Sequence, residues 1–482
     1  MGTFTENLNS ISYTENGALT YNTTKSACLD LFSMGGSMRS RSNDEITDLF
    51  MKAYAENPEY AIRTLLYLRD IRLSGMGEKK VYRVVIRKLL DKGLINFDSF
   101  IDITIEYGSW KDIFEICTDN EISYAVKREL AFRIEKKILR PSLMEKYAFS
   151  IGGKDNKRAE NLAYSLGLTP KKYRKWLSKS RAELEIVEQK MCSNSWDKIN
   201  YEHVPSKAML TYQNAFKKHS EKFGEYLEAV KTGEKKINAS VLYPYEIVRK
   251  IITSTSEDNT KALDVLWNNL KNYRCDGNSI VVCDTSGSMY SNNCLPISVA
   301  VSLAIYFAER NVGKFKGEMI TFSEKPTFFE IDEDNDIDGK VTQVSKADWG
   351  RNTNLQKVFS LLLNTCVKNH VPESEMPKNI YIVSDMEFDE ATSSNKSMTN
   401  FDAIKEQYAN AGYEMPKLIF WNVDSRQNNV PIQINENGVA LVSGCSPSIF
   451  EQTITADLNP MKFMIDAIMK PVYDCAVELL KR

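Results

Sequence analysis

Residues 278–293, NSIVVCDTSGSMYSNN, restrict what this chain can fold into more than any other stretch. Ser279 to Cys283 is a short, apolar, β-branched run, the composition of a strand buried on both faces. It ends in Asp284-Thr285-Ser286-Gly287-Ser288. Asp284, Ser286 and Ser288 alternate, so a loop leaving the strand end can turn three side-chain oxygens toward one point. A carboxylate and two hydroxyls are hard donors. They suit Mg²⁺ or Mn²⁺ and do not suit zinc.

Asp and Ser also cap helices, so the motif by itself reads more readily as an ordinary capped turn. Two further segments point to a site. Residues 350–355, GRNTNL, place Thr353 in a polar loop just before a helical pattern. Residues 378–385, KNIYIVSD, form a second buried-strand run ending in an acid, Asp385. In an open parallel sheet, ligands bind beyond the carboxyl ends of the strands. Asp284 and Asp385 share that rim if their strands are neighbours. The following acids, Asp389 and Glu390, read as a solvated loop or as partners of metal-bound water.

Strands alternate with helices throughout residues 277–482. Strands are expected at 317–322, 327–331, 417–423 and 439–444. Helices are expected at 296–310, 355–368, 401–411 and 460–481. This order predicts a doubly wound parallel sheet.

The first half reads differently. Residues 1–24 are polar and aperiodic, and are expected to be a flexible arm. Residues 25–32 are a short strand or helix. From Asn43, read as a helix N-cap, helices of 10–15 residues follow one another through short turns up to about residue 276. A helical repeat stack is the expectation. Net charge separates the halves: 44 Lys and Arg against 37 Asp and Glu up to residue 276, and 18 against 27 after it. The split suggests two domains with different partners.

Residues 127–181 are the most basic part, with 16 Lys and Arg against 5 Asp and Glu. The clusters run from Lys136 to Arg140, from Lys154 to Arg158, and from Lys171 to Trp176. In the last, Tyr173 and Trp176 interleave with the charges, a pattern suited to phosphate contacts with base stacking, or to a solvated helix face with Trp176 in the core.

Other chemistries find little support. The nine cysteines show no C-x-x-C pair, and free thiols in a reducing compartment are expected. With three histidines, a histidine-based zinc or catalytic centre is not expected. There is no phosphate-binding G-x-x-x-x-G-K-[ST], no G-x-S-x-G and no histidine beside a nucleophile. Asp284-Thr285 superficially resembles a phosphotransfer aspartate, but the Ser-x-Ser continuation fits a metal loop better. The chain is therefore read as not an enzyme. No apolar run reaches the ~18 residues of a membrane span, and the start lacks a secretory pattern. A cytoplasmic monomer is expected.

The set Asp284, Ser286, Ser288, Thr353 and Asp385 resembles the metal-ion-dependent adhesion site of von Willebrand factor A domains. That resemblance implies direct metal ligation by Ser286, Ser288 and Thr353. It also implies ligation through water by Asp284 and Asp385, with one position left for a partner's acidic group. A helical domain followed by an A domain resembles the TROVE family of Ro-like proteins. Residues 68–72, LRDIR, with the glycine turn after them, and residues 107–112, YGSWKD, are similar to segments of that family. Residues 420–422, FWN, and 442–446, VSGCS, are similar to a TROVE-related group.

The resemblance implies a HEAT-like helical domain over 25–276 and a Rossmann-like A domain over 277–482. It implies non-catalytic binding of structured or misfolded small RNA, with Mg²⁺ in the A domain. Arg39, Arg41, Arg69, Arg72, Lys171, Lys172, Arg174 and Lys175 are the expected phosphate contacts. The alternative is a Mg²⁺-dependent protein scaffold that captures an acidic protein ligand without RNA.

Overall fold

The structure is a computed structural model that describes residues 10–119, 121–137, 143–254, 260–275, 278–322, 326–346, 353–390, 399–454 and 458–480. Residues 1–9 of the expected arm, residues 350–352 and the side chains of the Lys136 to Arg140 cluster lie outside that description.

The rest of the expected arm is not loose. β1 (Ile11–Tyr13) and β2 (Leu19–Tyr21) form an antiparallel hairpin. Its turn closes with Gly17 N–H donating to Thr14 O and Gly17 at φ +85, a left-handed conformation that glycine adopts without strain. Tyr21 exchanges backbone hydrogen bonds with Val430, and the Thr14 hydroxyl donates to Phe388 O at 2.6 Å. Polar side chains that read as a solvated arm are in fact satisfied by a distant part of the chain.

Helices then follow in series. Residues 25–32, left open between strand and helix, lie largely in the helix Ala27–Gly35, which Ser26 caps. The next helix, Asn43–Glu56, is capped by Ser42 rather than Asn43, through a reciprocal capping box with Glu45. Asn57 caps Pro58–Arg69, and Asn96 caps Phe97–Tyr107. Ser109 and Asp112 form a capping box at Trp110–Cys117.

The second half is a six-stranded sheet built from β3 (Ser279–Asp284), β4 (Glu318–Phe322), β5 (Phe328–Glu330), β6 (Asn379–Ser384), β7 (Lys417–Asn422) and β8 (Val439–Ser443). The order is β5-β4-β3-β6-β7-β8, with β5 antiparallel and the other pairs parallel. Alternate residues of β3 enter different cores. Val281 and Cys283 pack with Ser291–Arg310 and the helical half, while Ile280 and Val282 pack with Leu355–Asn369 and Asn400–Ala411. Helices therefore cover both faces.

The helical stretch Gly287–Arg310, which includes the helix Ser291–Arg310, is long and apolar enough to cross a membrane by composition alone, but 78% of its most apolar part is buried inside the protein. It serves as the core helix of the sheet. The final helix expected over 460–481 is interrupted. It ends at Ile468, Pro471 opens a single 3₁₀ turn, and Ala476–Leu480 follows.

Both ends of the helical half rest on the sheet domain. Ala27–Gly35 packs against β8, where Gly36 N–H donates to the Ser443 hydroxyl at 2.9 Å. At the other end, Pro244–Ile252 packs along Ser291–Arg310.

Candidate functional site

The strand order reverses between β3 and β6, so the loops leaving these strands diverge and open a crevice. Asp284 ends β3, and Asp385 follows β6 directly. Both are buried. Asp284 accepts from Ser286 N–H at 2.9 Å and from the Ser384 hydroxyl. The Ser286 and Ser288 hydroxyls lie 3.1 Å apart, and Ser288 donates to Asp385 Oδ2 at 2.7 Å. Ser288 is half-buried, so the cluster reaches solvent there.

Four of the five expected metal ligands are thus joined in one hydrogen-bonded group. The fifth, Thr353, lies on the adjoining loop. Its hydroxyl donates to Glu387 O at 2.9 Å and contacts Asp389 Oδ1 at 3.2 Å. That contact makes Asp389 a part of the rim, where the sequence left it between solvent and metal water.

Three further groups complete the rim. Arg426 donates to Asp385 Oδ2 at 2.7 Å and to Glu15 Oε2 at 2.8 Å. Glu387 is buried and accepts from Asn429 Nδ2 at 3.1 Å on both oxygens, and from Glu15 N–H at 2.7 Å. Asn16 donates to Thr353 Oγ1 at 3.1 Å and to Glu387 O at 2.7 Å. The turn of the N-terminal hairpin therefore sits on the rim. A signal for Glu387 was its position two residues after Asp385. Arg426 and the hairpin carry no local signal, because their partners are far away in sequence.

The electrostatics follow from burial. Burial pushes the Asp284 carboxyl up, and the Asp385 charge pushes it further, against the hydrogen bonds from Ser384 and Ser286. Burial likewise raises Glu387, Asp389 and Asp424. Buried acids held above their usual range mark a place where positive charge is in short supply. Arg426 meets part of that demand, and its own protonation is favoured by Asp385 and Glu15 against the effect of burial. Among the described residues no three Cys, His, Asp or Glu side chains form a metal-sized cluster. The donor set is instead two carboxylates with two hydroxyls, which fits a hard divalent cation. Asn292, Asn293 and Cys294, just beyond this loop, all have φ between 51 and 58. Three successive left-handed residues are costly, and such strain concentrates at functional positions.

The expected phosphate contacts divide sharply. Arg39 pairs with Glu78 at 2.6 Å and donates to Cys445 Sγ at 2.8 Å. Arg41 is buried, donating to Ser425 O at 2.8 Å and to Asn428 Oδ1 at 2.9 Å. Arg69 is buried against Asp112. Arg72 is exposed, but its guanidinium donates to Glu106 O at 2.5 Å and Ile105 O at 2.9 Å, closing the carboxyl end of Phe97–Tyr107. In the structure all four arginines are engaged in bonds within the fold, and Arg72 alone of them is exposed.

Lys171, Lys172, Arg174 and Lys175 are exposed on the helix Pro170–Glu183. None of them forms an ion pair among the described residues, and no acid stands in the helix's first turn. Of the aromatic residues between them, Tyr173 is closed to bases while Trp176 is half-buried. Tyr173 is fully buried and donates to Phe149 O at 2.8 Å, and Trp176 packs on the Tyr173 ring.

Two family models match the chain. One, described as a domain of unknown function (DUF2828), covers residues 14–140 and 133–274. The other, also a domain of unknown function (DUF7788), covers residues 278–459. Neither is a von Willebrand A or TROVE model. An uncharacterized protein of Acanthamoeba polyphaga mimivirus is 30% identical over 522 aligned residues, covering 96% of this chain and 89% of that protein. Among solved structures, the crystal structure of Deinococcus radiodurans RO (RSR) protein aligns with a TM-score of 0.35 and 12% identity. It covers 91% of this chain and 95% of that one.

Proposed function

The chain belongs to the DUF2828 family, and from the chemistry of its surfaces we propose that it is a non-catalytic, Ro-like RNA-binding protein. In this reading the helical half is a HEAT-like RNA-binding domain, and the sheet half is a von Willebrand A-like domain that scaffolds it. One observation carries the reading: Lys171, Lys172, Arg174 and Lys175 stand exposed and unpaired on one helix. Two of them, Lys171 and Lys172, stand in the first turn, where the helix dipole already presents positive charge. Such an arrangement is unfavourable alone and is relieved by a polyanion. Small structured or misfolded RNA is the proposed ligand.

The test is RNA binding across a salt series, with wild type beside a variant reversing all four charges. A phosphate-contacting surface gives log K falling linearly with log salt, with a slope that flattens in the variant. Salt-independent binding, or equal slopes, refutes the assignment.

A second reading is favoured by the acid-and-hydroxyl cluster between β3 and β6. Asp284, Ser286, Ser288 and Asp385 would hold Mg²⁺ or Mn²⁺, with Thr353 the remaining member of the motif. The ion would neutralise the buried acids and offer a position to an acidic group of a protein partner. In that reading, partner capture requires Mg²⁺ and is lost in Asp284→Ala, with RNA irrelevant. Capture that survives chelation rejects it.

A further inference from the structure

A cleft beside the basic helix Pro170–Glu183 lies between two neighbouring helices, Tyr124–Lys137 and Asn156–Ser165. It is open to solvent and offers about 680 Å³, within the ~300–1,000 Å³ range of clefts that take organic ligands. Its walls are Tyr124, Lys127 and Arg128 from one helix, and Asn161, Tyr164 and Ser165 from the other. Each triad has i, i+3, i+4 spacing, so each lies on a single helix face. Packing in the interior is carried by other residues, Leu130 and Ile134 on the first helix and Ala159 and Leu162 on the second.

The two tyrosines are unusual. Tyr124 is 67% exposed and Tyr164 is 74% exposed. Among the described residues neither ring stacks on another, and neither hydroxyl has a hydrogen-bond partner. Large aromatic rings normally gain by burial, so two left open in one cleft are available to a ligand. Lys127 and Arg128 beside them form no ion pair among the described residues. The nearby acid Glu129 is engaged by Arg133 at 2.8 Å, and Glu160 accepts from Asn156 at 2.8 Å. The cleft is therefore aromatic and cationic, with Glu129 already paired to Arg133.

We propose that this cleft binds an unpaired stretch of RNA, with bases stacking on Tyr124 and Tyr164 and phosphates held by Lys127 and Arg128. The proposal rests on the RNA-binding reading and adds the strand state to it. Aromatic platforms act on bases whose faces are free, and a duplex keeps those faces stacked inside. An acidic peptide would satisfy the cations but leave both rings without partners. Asn161, the remaining polar group on the wall, has an amide that can meet a base edge. Tyr173, one of the two rings the sequence pattern offered for stacking, is committed to packing and Trp176 is half-buried, whereas Tyr124 and Tyr164 stand exposed in the same basic region.

The test measures fluorescence anisotropy of a short fluorescein-labelled oligouridylate and of the same strand annealed to its complement. The full chain is compared with Tyr124→Ala/Tyr164→Ala, with Tyr124→Phe/Tyr164→Phe, and with the four-charge reversal on Pro170–Glu183. Melting curves check that each variant is folded. The alanine pair should bind the single strand at least ~10-fold more weakly, with duplex binding and salt slope unchanged. The phenylalanine pair should retain wild-type affinity, because it keeps the ring faces.

Unchanged single-strand affinity in the folded alanine pair, with affinity lost in the charge reversal, overturns the cleft and leaves the RNA reading standing. Equal loss for single strand and duplex also overturns it. Wild type binding neither probe removes both readings.

Discussion

Arg69→Ala separates a structural arginine from an RNA-binding one. Arg69 is 1% exposed and donates to Asp112 Oδ2 through Nε at 3.1 Å and Nη2 at 2.5 Å. Asp112 is fully buried and also accepts from Arg83 Nε at 2.7 Å and from Ser109 N–H at 2.9 Å. Removing one member of a buried ion pair costs about 3–5 kcal/mol, because the other charge stays in the interior uncompensated. Arg83 and Ser109 remain in the variant, so the lower end, about 3 kcal/mol, is expected. That is a large part of the ~5–15 kcal/mol that holds an ordinary domain together.

The urea midpoint at neutral pH should fall accordingly, with RNA affinity per folded molecule unchanged. The pH dependence gives a second reading of the same pair. Burial would raise the Asp112 carboxyl, but Arg69 and Arg83 outweigh burial and hold it below the usual carboxylate range. A depressed folded value means that the stabilisation is complete above the unfolded value, about 3.9. It is lost as pH falls through the lower folded one. The wild type should therefore lose this contribution on acidification below about pH 4. The gap to Arg69→Ala should narrow over the same range. An unchanged urea midpoint together with weakened RNA binding would refute the reasoning and return Arg69 to the RNA surface.

Three further outcomes are expected. A Cβ at Gly36 would lie 2.7 Å from the Ser443 backbone, so Gly36→Ala should destabilise the docking of Ala27–Gly35 on β8 by about 1–3 kcal/mol, read as a lower urea midpoint; an unchanged midpoint argues against that packing. A thiol reagent applied to the native protein should label exposed Cys192 first, identified by peptide mass mapping. Buried Cys28 and Cys117, whose thiols burial pushes up to about 12, should resist until unfolding; early labelling of either contradicts their burial. Mg²⁺ at about 100 times its dissociation constant should stabilise the wild type by about 2.7 kcal/mol and leave Asp284→Ala unmoved in a melting assay; equal shifts would place the ion elsewhere.

Much of the architecture was legible because it is written in short-range patterns. Buried β-branched runs mark β3 and β6, and an acid stands at or directly after the end of each. Capping residues mark helix starts, although Ser42, one residue before Asn43, holds the cap because its side chain completes a box with Glu45. The break at Pro471 was readable in principle, since proline disfavours a helix interior, but the apolar periodicity around it concealed the interruption.

The candidate site was legible only in its local members. Asp284, Ser286 and Ser288 lie within five residues, and Asp385 ends an evident strand run. Arg426, Glu15 and Asn16 reach the rim from the two ends of the chain, where neither composition nor spacing hints at a shared location. The same holds for charge. Arg39, Arg41 and Arg69 look like free cations in the sequence, yet their partners Cys445, Ser425 and Asp112 lie 406, 384 and 43 residues away.

The sequence by itself determined the order of helical and sheet halves, the strand ends that carry the acids, and the concentration of positive charge over residues 127–181. These depend on periodicity, local hydrogen bonding and composition, all of which act between neighbours in the chain. Only the tertiary structure decided which charges are free and which are spent, which tyrosines face solvent, and that the N-terminal hairpin covers the rim. Desolvation and ion pairing depend on what lies across the folded interior, so a side chain's availability exists only once its distant partners are in place.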